Sequence, residues 1–320
     1  MESEHKKLSD TITGVHEHLK RSLFFTKDAN KVWQNHIEDE NLRKTYSSAM
    51  LKLATEIWSG KECRIEWTYN TCREYFYNGG LQKSLSREMK LKQISSQTNK
   101  EWCLGNLTSN DYENMKCKLK LLDVGSCYNP FAKFEEFSCV AIDLTPGTED
   151  VVQCDFLSID ILPQTNYAVP LSTTLTFHEK SFDIVVFSLV LTYLPATEQR
   201  TVFCFKAWQL LKLHGLLIII SPDSKSLHHN IPMVKSWKQA LENIGFVRVK
   251  YDKLSHLQCM AFRKCRTHSE FDVASCVSLA HLLYTPQDNK IYEEDVCDDV
   301  GDREDDDFVC KQFSELPFVS

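Results

Sequence analysis

The sequence lacks an apolar run long enough to cross a membrane. Its longest apolar stretch, residues 185–194, contains a serine and a threonine, whereas a membrane-spanning helix needs about 20 apolar residues. The first ten residues are polar and lack the apolar core of a secretory signal. We therefore expect a soluble intracellular protein that does not insert into a membrane.

The cysteines lack the spacing of a metal or redox site. The chain has 13 cysteines, an odd number, and no two of them form a C-x-x-C pair, which is the spacing typical of zinc and thioredoxin-like sites. A chain of 320 residues also buries enough surface to need no disulfide bonds. We expect reduced thiols that act as small core residues, and we assign no metal ligand.

The sequence also lacks the strong positive charge of most nucleic-acid-binding proteins. The formal net charge is −7, and the segment 288–307 holds eleven acidic residues against two basic ones. The acidity thus belongs to one segment, and the rest of the chain is close to neutral. Because a protein that binds many phosphates is usually strongly basic, nucleic acid is not the expected main partner. The basic segment 83–92 leaves a local contact open.

Hydrophobic periodicity divides the chain into three regions. Residues 1–117 are predicted to form an N-terminal helical domain and linker, in which 81–117 are polar and include some helix. Residues 118–285 alternate short apolar runs with helical segments, as a parallel sheet with crossover helices does. Residues 286–320 are acidic and are predicted to be a disordered tail.

The apolar runs predict a doubly wound α/β fold with seven strands. Two helical stripes precede them, and helices are predicted at about 196–213, ended by Gly215, and at 236–245. Residues 157–180 are predicted to be a long loop. The stripes are Leu8, Ile12, Val15, Leu19 and Leu23, then Tyr46, Met50, Leu53 and Ile57; the strands are 121–124, 139–143, 151–154, 182–187, 216–220, 246–251 and 257–262.

Ligands of open α/β sheets bind at the carboxyl ends of strands, and candidate residues follow four predicted strands. Gly125 follows the first strand and lets the backbone approach a ligand. Asp143 ends the second strand, at a position suited to ribose hydroxyls. Asp155 and Phe156 follow the third and suit an adenine, and Ser188 ends the fourth. Strand-end aspartates also cap helices, but this ordered set favours an adenosine-containing ligand.

The loop after Gly125 separates two ligand classes. A pyrophosphate needs further glycines in this loop, but Cys127 and Pro130 lie there, which disfavours a dinucleotide. S-adenosylmethionine has no phosphate and carries a carboxylate that a guanidinium can bind at two points. Arg64 is the candidate for that contact, and its alternative role is a surface salt bridge with Glu62 or Glu66.

Several segments resemble a known family. They are "RIEW", "CREYFYNGG", "LLDVGSCYNPF", "VAIDL", "CDFL", "FDIVVFSLVLTYLP", "LLIIISPDS" and "MAFRK". The family is SAMTOR, the metazoan S-adenosylmethionine sensors upstream of mTOR complex signalling, relatives of fungal methyltransferases that modify an adenine of large-subunit rRNA. The resemblance covers roughly residues 5–285.

The resemblance implies a class I methyltransferase (Rossmann-like) fold with an N-terminal helical domain that closes over the ligand. It places two residues at cofactor-binding positions of the family and allows four further contacts. The two are Gly125 and Asp143, and the four are Arg64, Asp155, Phe156 and Ser188. It implies S-adenosylmethionine as the ligand, with S-adenosylhomocysteine also binding.

The resemblance further implies protein partners. The protein is expected to bind the GATOR and KICSTOR complexes when S-adenosylmethionine is scarce, restraining mTOR signalling, and to release them when the ligand binds. This role implies a cytoplasmic protein that partners recruit to the lysosomal surface.

An active methyltransferase, acting on an rRNA adenine or another acceptor, is the alternative. Amino-methylating enzymes commonly place an Asn/Asp-Pro-Pro-aromatic motif after the fourth strand, where this chain has "SLVLTY" at 188–193. The sequence shows no catalytic cysteine motif and no obvious general base, so we assign no catalytic residue. The fungal relatives also lack the motif, which leaves the alternative open.

Overall fold

The computed structural model describes residues 4–58, 63–94, 118–163, 175–223, 227–266 and 277–289. Within these ranges, five helices precede the sheet. They are α1 (Glu4–Thr26), α2 (Ala29–Glu38), α3 (Glu40–Lys52), which continues as a π-helical turn (Leu53–Ile57), α4 (Cys63–Phe76) and α5 (Gly80–Ile94). We call these five helices the helical layer. No helix in the described part of the chain is both long and apolar enough to span a bilayer.

Both predicted helical stripes lie in the helical layer. The first stripe is on α1, and the second runs along α3 and the π-helical turn. Helix α2 was not predicted, because a helix this short carries few apolar residues. Asp28 and Asp39 begin α2 and α3 as caps, since each carboxylate accepts a backbone N–H three residues on, at 3.0 and 2.9 Å.

The helix expected within the predicted linker 81–117 covers its residues as far as 94. These residues form α5, and Leu81 at its start is buried. Glu88 of this helix forms an ion pair with the buried guanidinium of Arg263 in β9. Charged residues are as numerous as apolar ones in this segment, which makes its apolar stripe hard to recognise in the sequence. The rest of the predicted linker, 95–117, lies outside the described residues.

All seven predicted strands are confirmed, with longer bounds for most. The main sheet has the order β3-β2-β1-β6-β7-β9-β8, the order of a class I methyltransferase fold. Two short strands inside the predicted loop pair separately. The strands are β1 (Leu119–Val124), β2 (Phe137–Asp143), β3 (Val152–Gln153), β4 (Asp160–Leu162), β5 (Thr176–His178), β6 (Phe182–Ser188), β7 (Leu211–Pro222), β8 (Phe246–Leu254) and β9 (Leu257–Lys264).

Two features of the sheet differ from the sequence prediction. The sheet is mixed rather than parallel, because β9 runs antiparallel to both β7 and β8; a two-residue turn can join only antiparallel strands. Helix α6 (Thr197–Leu210) passes directly into β7. Gly215 therefore lies inside a strand and does not end the helix. A Cβ there would lie 2.9 Å from the Asp183 carbonyl oxygen.

The sheet is covered on both faces. On one face α6 and α7 (Leu227–Ile244) pack with residues such as Phe203, Trp237 and Leu241. On the other face the helical layer packs with Trp58, Ile65 and related side chains. The helical layer and this sheet face therefore share one hydrophobic core, and the predicted domain boundary at residue 118 remains a prediction.

The predicted tail begins too early. Residues Pro286–Asn289 form a 3₁₀ turn, and Asp288 lies between two cations of the folded body. Lys20 of α1 donates to its carboxylate at 2.9 Å, and Arg200 of α6 pairs with it as well. The predicted tail from residue 290 onward lies outside the described residues.

Candidate functional site

A cavity opens at the carboxyl ends of β1, β2 and β6, as the fold requires. Its lining includes five of the six predicted site residues: Gly125, Asp143, Asp155, Phe156 and Ser188. The structure thus brings together residues that are up to 63 positions apart in sequence. Their contact with a ligand remains a prediction.

Gly125 has no space for a side chain. Its φ of +74° lies in the left-handed region, and its N–H donates to the Ile142 carbonyl oxygen at 2.8 Å. A Cβ would lie 2.7 Å from Cγ2 of Val190, which also lines the cavity. The missing side chain thus lets the loop after β1 pack against Val190, and we call the bare backbone at this edge of the cavity the glycine cradle.

The carboxylate of Asp143 is held in place by two backbone amides. Its Oδ2 accepts from the Cys127 N–H at 3.0 Å and its Oδ1 from the Thr145 N–H at 2.7 Å. Burial raises its pKa to about 6, against the opposing effect of these two hydrogen bonds. Each oxygen keeps a lone pair, so the group can accept both hydroxyls of a ribose.

The loop after β3 forms the opposite wall. Asp155 accepts from the Leu157 N–H at 3.0 Å and from Trp33 Nε1 of α2 at 3.3 Å. Phe156 is buried and packs edge-on against two phenylalanines of the core. Lys206 of α6 fixes the loop, because its ammonium donates to the carbonyl oxygens of Phe156, Leu157 and Ile159 at 2.6 to 3.3 Å. The arrangement suits an adenine, with Asp155 as acceptor for its amino group.

Two buried polar atoms of the lining are unsatisfied. Ser188 Oγ and Arg43 Nε have no hydrogen-bond partner among the described residues. A buried polar group without a partner costs about 1–3 kcal/mol. A polar ligand that reached these atoms would remove that cost, and so both fit a site for a ligand such as S-adenosylmethionine.

Arg64 does not line the cavity but lies beside the glycine loop. Its guanidinium stacks over Trp58 at 5.3 Å, and Nη2 is 3.5 Å from the Tyr128 hydroxyl. Burial raises the pKa of Asp123, beneath the loop, to about 7, and the charge of Arg64 opposes that rise. Glu66, its possible surface partner, pairs instead with Lys133 at 3.6 Å, and Glu62 lies outside the described residues.

The sequence prediction missed the residues that the helical layer contributes. They are Trp33 of α2 and Arg43, Tyr46, Ser47 and Met50 of α3. The four residues on α3 recur at intervals of three and four, so they form one helical face. Arg43 Nη1 donates to Thr145 Oγ1 at 2.8 Å and so ties this face to the loop after β2. Tyr46 and Met50 belong to the second predicted helical stripe, but no local pattern in the sequence shows that this face meets the strand ends.

The site as a whole can bind a polar, partly aromatic ligand between the helical layer and the sheet. It offers carboxylates, a glycine cradle, aromatic rings and unsatisfied polar atoms. Among the residues that the structure describes, no three His, Cys, Asp or Glu side chains cluster closely enough to hold a metal ion.

Comparison with known proteins gives two consistent relationships. Residues 77–275 match the family model described as 25S rRNA (adenine(2142)-N(1))-methyltransferase, Bmt2. A protein of Danio rerio named S-adenosylmethionine sensor upstream of mTORC1 is 37% identical over 98% of this chain and 85% of its own length. The protein of the same name from Xenopus tropicalis is 38% identical over 98% of this chain and 84% of its own.

Solved structures resemble about half of this chain at low similarity. One is the 1,6-didemethyltoxoflavin-N1-methyltransferase of Burkholderia thailandensis with bound S-adenosylhomocysteine, with a TM-score of 0.35, 16% identity, and coverage of 47% of this chain and 72% of that chain. Another is the N-methyltransferase NodS of Bradyrhizobium japonicum, with a TM-score of 0.32, 16% identity, and coverage of 47% and 80%. At these scores the likeness says nothing about ligand or activity.

Proposed function

The chain belongs to the family of S-adenosylmethionine sensors upstream of mTORC1, and it also matches the Bmt2 family model. From this premise we propose that it binds S-adenosylmethionine and reports its level to mTORC1. The observation that carries the proposal is the cavity at the strand ends, because it combines Gly125, Asp143 and Asp155 with side chains of the helical layer. The family supplies the ligand, and the cavity supplies groups that suit it.

We assign each part of the ligand to one part of the site. Asp143 binds the ribose hydroxyls, and Asp155 and Phe156 hold the adenine. Gly125 and Ser188 contact the middle of the ligand, and Arg64 binds its carboxylate. Arg64 is the least direct of these assignments, since it lies behind the glycine loop, 3.5 Å from the Tyr128 hydroxyl; a shift of Tyr128 would bring the guanidinium to the ligand.

A sensor needs two conformations with different affinity for the ligand. Here the helical layer lines the cavity through Trp33, Arg43 and Tyr46, while the sheet supplies the acidic and glycine positions. A ligand that contacts both sides favours the arrangement in which they meet. The partner surface would then differ between the ligand-free and ligand-bound states.

The partners are part of the proposal. We propose that the ligand-free chain binds the GATOR and KICSTOR complexes and that the ligand-bound chain releases them, which would place the protein at the lysosomal surface only through its partners. The name of the relatives, sensors upstream of mTORC1, supports protein partners in general.

Calorimetric titration with S-adenosylmethionine tests the ligand. Asp143→Ala should weaken binding by ~100-fold or more, because two charged hydrogen bonds of about 1.5–3 kcal/mol each are lost. Glu149→Gln removes an exposed carboxylate a few residues away and should leave the affinity unchanged. No heat of binding for the wild-type chain would reject the proposed ligand, and equal affinity of the Asp143 variant would remove this site.

A methyltransferase is the second candidate function, favoured by the match of residues 77–275 to a methyltransferase family model. The two functions separate in a paired experiment. One arm measures methyl transfer from labelled S-adenosylmethionine to total RNA, and the other measures capture of GATOR and KICSTOR with and without the ligand. Transfer together with ligand-independent capture would overturn the sensor proposal.

A further inference from the structure

Two tyrosine rings lie next to each other in the cavity wall. Tyr46 of α3 and Tyr193, just after β6, both line the cavity, with ring centroids 4.8 Å apart. Trp33 of α2, also in the lining, meets Tyr193 edge to face at 6.0 Å. The three rings come from three separate elements, and so the cluster exists only in the folded chain.

Two buried histidines hold the tyrosine hydroxyls. His16 Nε2 lies 3.1 Å from the Tyr46 hydroxyl, and His36 Nε2 is hydrogen-bonded to the Tyr193 hydroxyl. Burial, with a smaller contribution from neighbouring cations, lowers the pKa of His16 to about 3 and that of His36 to about 4. Both imidazoles are therefore neutral near pH 7 and place no positive charge behind the rings.

The charges of the cavity lining favour a cation. They are two carboxylates, Asp143 and Asp155, against one guanidinium, Arg43, which is engaged with Thr145. Burial raises the pKa of both tyrosines, and the charge of Asp143, which lines the same cavity, adds to both rises, while Arg43 opposes the rise at Tyr193. Because the face of an aromatic ring is also negative, the space between the rings and Asp143 suits a positive group.

Tyr46 also lies near the glycine loop. Cys127 of that loop contributes to the raised pKa of Tyr46, and its Sγ approaches the Ser47 carbonyl oxygen at 3.9 Å. Tyr46 therefore lies close to Asp143, assigned to the ribose, and to the loop assigned to the methionine end, since the Cys127 N–H of that loop donates to Asp143 at 3.0 Å. In S-adenosylmethionine the group that joins these two halves is the sulfonium.

We propose that Tyr46, Tyr193 and Trp33 form an aromatic cage for the sulfonium of S-adenosylmethionine, so that the site prefers this cation to the neutral thioether of S-adenosylhomocysteine. The inference rests on the proposed function and adds the chemical selectivity of the same site. A cation near the face of a tyrosine or tryptophan gains about 3- to 30-fold in affinity, depending on its desolvation.

Calorimetric titrations with three ligands test the cage. S-adenosylmethionine carries the sulfonium, S-adenosylhomocysteine lacks the charge, and sinefungin carries an ammonium-bearing carbon in place of the sulfonium. The wild-type chain should bind the two cationic ligands at least about 3-fold more tightly than the thioether. Equal affinities for all three would overturn the cage without any variant being made.

Single-residue variants then show which side chains cause the preference for the cationic ligands. Tyr46→Leu and Tyr193→Leu should reduce the preference for the cations about 3- to 10-fold each, whereas Tyr46→Phe, which keeps the ring, should retain it. Tyr69→Leu is the matched control, because Tyr69 stacks on Phe134 at 4.0 Å, away from the cavity lining. Circular dichroism reports whether each variant is folded.

The outcomes separate the two proposals. Failure of the wild-type chain to bind any of the three ligands would reject the proposed function and the cage with it. Binding of all three, with leucine variants that lose every ligand equally, would show that the rings only pack and would overturn the cage alone. If the leucine variants do not fold, the three wild-type affinities decide.

Discussion

A Cβ on Gly125 would lie 2.7 Å from Cγ2 of Val190 and 2.9 Å from its Cβ. Val190 begins the short turn that follows β6, and so the loop after β1 and the turn after β6 touch at the cavity with no space between them. Neither partner is at the end of a flexible side chain, and the φ of Gly125 is positive. An alanine at residue 125 must move one of the two walls.

Gly125→Ala should therefore abolish measurable binding of S-adenosylmethionine and lower the free energy of unfolding by about 1–3 kcal/mol. Gly14→Ala is the control. Gly14 lies inside α1, where an added Cβ meets nothing within 4 Å, and alanine should stabilise the helix by roughly 0.5–1 kcal/mol. Urea unfolding and calorimetry measure both effects. Normal ligand affinity in Gly125→Ala would contradict the assigned cradle.

Arg64→Met should weaken S-adenosylmethionine binding by about 10-fold or more, since a charged hydrogen bond to a carboxylate contributes about 1.5–3 kcal/mol. Methionine keeps apolar contact with Trp58, which the guanidinium now covers. Arg73→Met on the same helix removes a more exposed arginine that lies 3.8 Å from Glu136 and should not change the affinity. A variant of Arg64 that melts early but binds normally when folded would make the residue structural.

Affinity should fall in mild acid. Burial raises the pKa of Asp143 to about 6, and a carboxylate accepts ribose hydroxyls better than a carboxylic acid does. The association constant should thus be flat above about pH 7 and decline by up to about 10-fold per unit below pH 6. His16 and His36 have pKa values of about 3 and 4, so the proposed cage does not titrate in this range.

Calorimetry between pH 5 and pH 8 measures this dependence. Asp143→Asn should bind weakly at every pH with a flat profile. Burial also raises the pKa of Asp123 to about 7, and so Asp123→Asn is needed to separate the two carboxyl groups. Constant affinity of the wild-type chain down to pH 5 would argue against Asp143 as the ribose acceptor.

Asp288→Asn should lower the free energy of unfolding by about 3–5 kcal/mol, because it leaves Lys20 and Arg200 buried without their counter-charge. Lys20→Met in the same chain should restore part of the loss. Glu40→Gln removes one side of an exposed pair with Lys44 and should cost less than about 0.5 kcal/mol. A loss this small in Asp288→Asn would mean that the buried cluster is energetically neutral.

The same cluster of Lys20, Arg200 and Asp288 predicts that the free energy of unfolding depends on pH. The two cations hold the pKa of Asp288 well below its usual value, against the effect of burial. A carboxyl group with a depressed pKa stabilises the fold above its unfolded value of about 3.9, and this stabilisation is lost as the pH falls below it. The difference between the wild-type chain and Asp288→Asn should therefore shrink below about pH 4 in urea titrations.

Periodicity predicted the central strands well because they are short, mainly apolar runs that are buried on both faces. Leu216–Ile220 and Phe182–Phe187 are examples whose every residue is buried. Periodicity failed for α5 because a helix that contacts the sheet along a narrow stripe needs few apolar residues. It could not predict the direction of β9 from the run itself, since a buried strand has the same pattern in either direction.

The residues of the candidate site also fall into those that the sequence predicted and those that it did not. Gly125, Asp143 and Asp155 were predicted because strand ends of a parallel sheet converge, which is a property of the fold class. Arg43 and Trp33 were not, because their position depends on how the helical layer packs against the sheet. Arg64 was selected for its charge, and the structure places it near the loop rather than in the lining.

The ion pair between Lys20 and Asp288 joins residues 268 positions apart. On a ribosome the chain emerges at about 5–20 residues per second, so roughly 15 to 55 s pass between the synthesis of the two. The first helices also cannot bury their apolar side chains until the sheet face that they cover has been synthesised. The nascent chain thus exposes apolar surface until the sheet and residue 288 have been synthesised, and it should depend on chaperones during that interval.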